Sequence, residues 1–185
     1  MEEAQTIETE RLRLRQWQAD DLDAFAAMCA DPEVMHDWGG PQDRELSERR
    51  MQRYHDTVLE QGYGRWLVET LAGEFLGYCG VMPAYEGHAL GRHDEVGWRL
   101  KRAAWGRGYA TESAIASLND VFERIGLDEV LSYTTAENDR SQAVMQRLRL
   151  RRDESRDFVN TNHLAGEWQG LTWVVTKDEW SNRDV

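Results

Sequence analysis

Val96-Gly97-Trp98-Arg99-Leu100-Lys101-Arg102-Ala103-Ala104-Trp105-Gly106-Arg107-Gly108-Tyr109-Ala110-Thr111 reads as a strand, a loop, a glycine pair and the start of a helix. A helix start offers unpaired backbone N–H groups and the positive end of the helix dipole, which together suit a phosphate. Gly106 and Gly108 carry no Cβ to hold a pyrophosphate away from that backbone. Arg102 and Arg107 can add direct charge. The stretch holds four basic residues and no acidic one, in a chain of formal net charge −12. That contrast points to a small polyanion, although on spacing alone an ordinary glycine loop entering a helix fits equally well. A nucleoside-triphosphate loop would need Lys then Ser or Thr after the second glycine. A dinucleotide fingerprint would want a third Gly or Ala where Thr111 stands.

Outward from this stretch, alternation and helical spacing set the elements. Upstream, Glu10 to Arg15 alternates as a half-buried strand, and Leu22, Phe25, Met28 and Cys29 mark a helix behind Asp20 or Asp21. Trp38-Gly39-Gly40-Pro41 reads as a loop, and Met51, Tyr54 and Val58 trace a second helix ended by Gly62. Trp66 to Val68 and Phe75 to Met82 form a hairpin about Ala72-Gly73, the second strand apolar on both parities and so covered on both faces. Downstream, Ala110, Ala114, Leu118, Val121, Phe122 and Ile125 share one side of a helix that stops at Gly126. Val130 to Thr135 is a strand, Asn138 or Asp139 caps a helix carrying Val144 and Leu148, and Leu171 to Val175 is a closing strand. The order β-α-α-β-β-β-α-β-α-β predicts one α/β domain with a mixed sheet over residues 1–185.

Composition narrows the class. A chain of 185 residues, 41% hydrophobic and without a long apolar run, has the size and pattern of a globular domain. The polar, acidic stretch from Met1 to Glu10 lacks the pattern of a secretory signal, and Cys29 and Cys79 read as buried free thiols. The expectation is a cytoplasmic protein without nucleic-acid or membrane partners, since the charge repels both. Arg147, Arg149, Arg151 and Arg152 read as solvated surface charge. His36, His55, His88, His93 and His163 show no metal-ligand spacing and read as surface or loop residues, so no metal is expected.

The sequence from Val96 to Leu100, followed by Trp105 to Glu112, resembles the acyl-CoA signature of the GNAT N-acetyltransferase superfamily. More closely it is similar to the branch containing the ribosomal-protein N-terminal acetyltransferases. A second block agrees, Glu137-Asn138-Asp139-Arg140-Ser141-Gln142-Ala143-Val144-Met145, and so do Thr9 to Arg15 and Asp31-Pro32-Glu33-Val34-Met35. The resemblance runs from about residue 6 to 180. Two positions depart from the pattern: Ala103, where the family has Gln or Arg, and Arg149, where it commonly has Gly.

The resemblance implies a mostly antiparallel sheet flanked by helices and splayed between the fourth and fifth strands, with Gly97 as the residue best suited to a bulge. It implies acetyl-CoA as co-substrate, held by Trp98, Arg99, Leu100, Arg102, Trp105, Gly106, Arg107, Gly108, Tyr109, Ala110 and Thr111, with Asn138 and Ser141 on the pantetheine arm. A backbone N–H near Trp98 to Leu100 would face the thioester oxygen, and Ser141 would protonate the departing thiolate unless it serves only the helix start. Glu95 is the candidate base, with a solvent-facing strand carboxylate or an ion pair to Arg99 as its structural alternative. Trp38 and His93 are candidates for the acceptor pocket, together with the loop from Asn160 to Gly166. Glu112 fits a structural first-turn carboxylate. The acceptor is expected to be a primary amine, a protein N-terminus or a small molecule, and the chain a monomer or homodimer. A free α-amine loses its proton at pH 7 for about 1 kcal/mol and a lysine for roughly 4–5, so the former needs less help. The rival is a non-catalytic acyl-CoA-binding regulatory domain.

Overall fold

The computed structural model describes residues 5–163 and 166–183, with backbone alone from 161 to 163. Nine strands form one sheet in the order β1-β2-β3-β4-β5-β6-β9-β7, with β8 hairpinned onto β9. The strands are β1 (Ile7–Glu8), β2 (Leu12–Arg15), β3 (Arg65–Thr70), β4 (Phe75–Pro83), β5 (Asp94–Leu100), β6 (Glu129–Thr134), β7 (Arg151–Arg152), β8 (Phe158–His163) and β9 (Gly166–Thr176). The helices are α1 (Leu22–Cys29), α2 (Arg44–Gln61), α3 (Tyr109–Asp120), α4 (Asp139–Arg147) and α5 (Lys177–Ser181).

Two cores sit on opposite faces of the sheet, and strand alternation divides residues between them. Trp66, Val68, Cys79 and Val81 pack with Ala114, Leu118, Phe122 and Met145 from α3, its continuation and α4. Leu67, Tyr78 and Met82 pack with Phe25, Met28, Met51 and Tyr54 from α1 and α2. That is why β4 reads as apolar on both parities.

The termini of the helices follow their sequence signals. Asp43 caps α2 by accepting from the Leu46 N–H at 2.8 Å, and Gly62 ends it at φ 75°. α1 has no side-chain cap. Asp21 instead accepts the Gln18 N–H and pairs with Arg15 at 2.8 Å. The α3 pattern continues to Gly126 through a π turn, Val121–Ile125. Four elements were not anticipated: β1, β7, β8 and α5. The last carried a readable signal, the capping box Thr176 to Glu179. Arg149 is the only non-glycine residue at positive φ (56°) among the described residues, so the departure noted above puts a side chain where glycine avoids a strain of about 1–2 kcal/mol.

The sheet is antiparallel except at one place. β5 and β6 run parallel and share a single registered pair, Glu95 with Leu131, supplemented by the Ser132 hydroxyl donating to the Val96 carbonyl at 2.9 Å. β5 and β6 are the splayed fourth and fifth strands of the sequence reading. Gly97 does not form a bulge: the β4–β5 register passes through it unbroken, and a register shift falls instead at Val68/Glu69 between β3 and β4. Gly97 is glycine for another reason. A Cβ there would lie 2.7 Å from Arg65 Nη2 and 2.9 Å from Glu95 Oε1, inside an ion pair.

Candidate active site

The glycine loop lies where α3 begins. Gly108 is the residue before the helix, at φ 79°, and Gly106 stands at φ 72°. A Cβ on Gly106 would meet open space, and one on Gly108 would only approach Arg11 at 3.4 Å, so within the chain itself what calls for glycine at both positions is the positive φ. Trp105 anchors the loop by donating Nε1–H to the Leu100 carbonyl at 2.8 Å. Glu112 accepts from Thr9 at 2.6 Å and pairs with Arg11, tying α3 to the β1–β2 turn. Burial opposes its charge, but the bonds from Thr9 and Arg11 prevail and hold its pKa below the usual carboxylate range.

A groove of about 950 Å³ runs along this helix start, lined by Trp98, Arg99, Leu100, Trp105, Gly106 and the first turn of α3, with Asn138 to Ser141 opposite. The residues fit a phosphate-bearing cofactor. Tyr109, Ala110 and Thr111 of the first turn, whose N–H groups have no partner within the helix, line the groove, and the buried Thr111 hydroxyl has no hydrogen-bond partner among the described residues. Arg140 stacks over Trp105 at 3.9 Å beside the groove, a cation that sequence reading passed over. Arg102 is drawn to Glu33 at 2.7 Å, and Arg107 is absent from the groove lining. In the second basic cluster, Arg147 reaches the groove, whereas Arg151 and Arg152 pair with Glu179 and Asp157.

The groove meets a second cavity, of about 410 Å³, at the β5–β6 seam. Asp37, Trp98, Arg99, Asn138 and Ser141 line both. Val96 turns its carbonyl toward β6, and strand alternation gives Trp98 and Leu100 the same direction, so their amides face the gap. Asn138 caps α4 by accepting the Ser141 N–H at 3.1 Å and donates to Asp37 at 3.0 Å. The cap therefore uses the Ser141 backbone. Its hydroxyl makes no hydrogen bond among the described residues and borders both spaces.

Glu95 does not pair with Arg99. It pairs with Arg65, Nη2 to Oε2 at 2.6 Å, and the same buried guanidinium donates to the carbonyls of Gly80, Glu95 and Gly97. Arg99 turns to the α1–α2 connection, where it bonds Asp37 at 2.8 Å and the Val34 carbonyl. Trp38 borders the second cavity. His93 sits behind the lining, its ring 4.7 Å from that of His88. His88, expected at the surface, is buried in the wall among Tyr85, Tyr133 and Phe158. Burial first, and then the neighbouring His93, lower its pKa to about 4 and keep it neutral. Of the loop from Asn160 to Gly166, Asn160 lines the cavity, and residues 164 and 165 with the His163 side chain lie outside the described residues.

The chain with this strand-loop-helix groove and splayed parallel seam is matched by a family model, "Acetyltransferase (GNAT) domain", over residues 11–151. The chain belongs to the GNAT acetyltransferases.

Relatives of this GNAT chain include an uncharacterized protein of Bacillus subtilis, YkkB, 34% identical over 116 residues, which are 60% of this chain and 64% of that protein. The chain thus covers just under two thirds of that relative. The FsC-acetyl coenzyme A-N(2)-transacetylase of Aspergillus fumigatus is 30% identical over 95% of this chain and 77% of its own length. Among solved structures, a GNAT acetyltransferase from Bacillus anthracis superposes with a TM-score of 0.78 at 22% identity, covering 95% of this chain and all of that one. RimL, a ribosomal alpha-N-protein acetyltransferase, gives 0.75 at 16% identity and 94% of each chain. These likenesses show the GNAT fold. GNAT enzymes use acetyl-CoA, and among the described residues no group of three or more His, Cys, Asp or Glu could hold a metal.

The GNAT cleft also contains a phenol that sequence reading took only as part of a strand. Tyr133 lines the second cavity, and burial, then Glu95, push its pKa well above the ordinary tyrosine value. Its protonated hydroxyl is held toward Glu95.

Proposed function

We propose that this chain, a single domain over residues 1–185, transfers the acetyl group of acetyl-CoA to a primary amine by direct attack. The amine belongs to a protein N-terminus or a small molecule. The observation that carries the reading is the junction itself: a phosphate-type groove and a separate cavity meet at Trp98, Asn138 and Ser141. A cofactor-only regulatory domain would not need the second cavity, with its largely covered base candidate. Bound acetyl-CoA supplies a thioester, an acyl group already activated for transfer.

The rest falls to the protein. The α3 start and Thr111 hold phosphate, while Trp105 fixes the loop. Amides of Trp98 and Leu100 face the gap, placed to stabilise an oxyanion. Glu95 takes a proton from the incoming ammonium, directly or through water, and Ser141 Oγ–H gives one to the departing sulfur. Setting is cytoplasmic in this reading, with no nucleic-acid or membrane partner and a monomeric or homodimeric state. Among the described residues no helix is long and apolar enough to cross a membrane.

Thermal stabilisation by acetyl-CoA and CoA but not by NADH tests the cofactor, since a ligand at a hundred times its Kd adds roughly 2.7 kcal/mol. No shift with either CoA compound sinks the reading. Gly108→Val places a β-branched residue at φ 79° in the loop. It is expected to weaken acetyl-CoA binding about tenfold or more by calorimetry, while unchanged affinity would remove the loop from the cofactor site. Ser141→Ala leaves the α4 cap in place because the hydroxyl takes no part in it. Turnover should drop about 10²-fold with acetyl-CoA affinity intact, and an unaltered kcat would leave Ser141 structural.

A further inference from the structure

The cavity on the acceptor side carries more positive charge than a simple amine requires. Five arginines line it, against the carboxylates Asp37 and Glu95, although the chain as a whole is at −12. Arg65 and Arg99 are each neutralised, by Glu95 and by Asp37. The other three stand on α2. Leu46, Arg49, Arg50, Arg53 and Tyr54 follow the three-and-four spacing of one helix face, and all five border the cavity. Arg49 is held by Glu45 one turn earlier. Arg50 and Arg53 have no carboxylate partner among the described residues.

Arg50 is the informative one. Its guanidinium stacks on Trp38, 3.9 Å from the ring centroid, which fixes the plane of the fork. Its Nη1 is buried and has no hydrogen-bond acceptor among the described residues. A buried guanidinium N–H without an acceptor is unfavourable, and an oxyanion bound in the fork would satisfy it. The cavity is therefore polarised. Arg50 and Arg53 stand on the α2 wall, while Glu95 and Ser141 stand on the strand and α4 side where the amine must arrive.

Resting on the transfer reading above, we propose that the acceptor is a small zwitterionic amine. Its ammonium is received at Glu95 and its oxyanion, a carboxylate or a phosphate ester, at Arg50 with Arg53 beside it. A cavity of about 410 Å³ is of small-molecule size.

The test compares kcat/KM within matched pairs: an α-amino acid against its carboxamide, and an amino-alcohol phosphate against the free amino alcohol. The anionic member should be preferred by at least about tenfold, and the pair with the larger ratio identifies carboxylate or phosphate. Arg50→Gln should bring that ratio to within about twofold, through KM rather than kcat. Arg53→Gln, on the exposed side of the same face, serves if Arg50→Gln does not fold. Equal rates within pairs, or preference for neutral acceptors or for uncharged peptide N-termini, overturn the proposal while leaving transfer intact. Acetyl-CoA binding with no amine acetylated sinks the transfer reading instead. The anion site is then decided by thermal stabilisation with the amino-alcohol phosphate and with the α-amino acid. A shift with either that is lost in Arg50→Gln supports it, and no shift with either in the parent protein overturns it.

Discussion

Arg65→Ala is expected to cost the fold about 3–5 kcal/mol, read from urea denaturation at pH 7. Arg65 is 5% exposed, and its guanidinium bonds the Glu95 carboxylate and three backbone carbonyls of β4 and β5. Burial disfavours its charge, and Glu95, with Tyr54 and Tyr78 after it, more than restores it, so its pKa rises. Truncation leaves Glu95, itself largely covered, without its counter-ion in the middle of the sheet. With total stabilities of about 5–15 kcal/mol for ordinary domains, that loss is a large share. Replacing both partners by apolar residues of similar size should recover most of it, because no charge is then stranded. A single-variant loss under about 1 kcal/mol would mean that water reaches Glu95 freely, and the pair would no longer explain Gly97.

Glu95→Gln should lower kcat/KM for amine acetylation by about 10²–10⁴-fold while sparing acetyl-CoA affinity. Gln can still accept a hydrogen bond from Arg65, so its stability loss should be smaller than that of Arg65→Ala. The two readouts separate base from strut. The acceptor's own pKa sets the scale: an α-amine costs about 1 kcal/mol to deprotonate at pH 7 and a lysine roughly 4–5, so strongly basic acceptors should suffer most. Turnover within about threefold of the parent for every acceptor would transfer the role to water or to another group.

Local pattern carried the fold well. The double apolarity of β4, the face of α2 through Met51, Tyr54 and Val58, and the Asn138 cap all depend on near neighbours. The splay and the glycine loop came from motif blocks. What escaped depends on partners far apart in the chain. Arg65 looks like the start of a strand until β4 lays it over β5, thirty residues on, where Glu95 waits. Arg49, Arg50 and Arg53 look like a solvated helix face until Trp38 and the cavity appear opposite. His88 sits in a polar run, and only tertiary packing buries it. The two-residue β7 is made of arginines that no strand propensity favours, and it pairs because β9 offers an edge.

The seam between β5 and β6 also decides when the cleft comes into being. On one side, β3, β4 and β5 close as successive antiparallel neighbours, and on the other β8 and β9 close as a hairpin. Such short-range ladders form early in a folding chain, whereas the parallel junction must bring Glu95 to Leu131 across the whole of α3 for a single registered pair. That junction, like β2–β3 and β6–β9, joins residues distant in the chain, and a nascent chain holding only its hairpin ladders lacks the cleft where Glu95 and Ser132 come together.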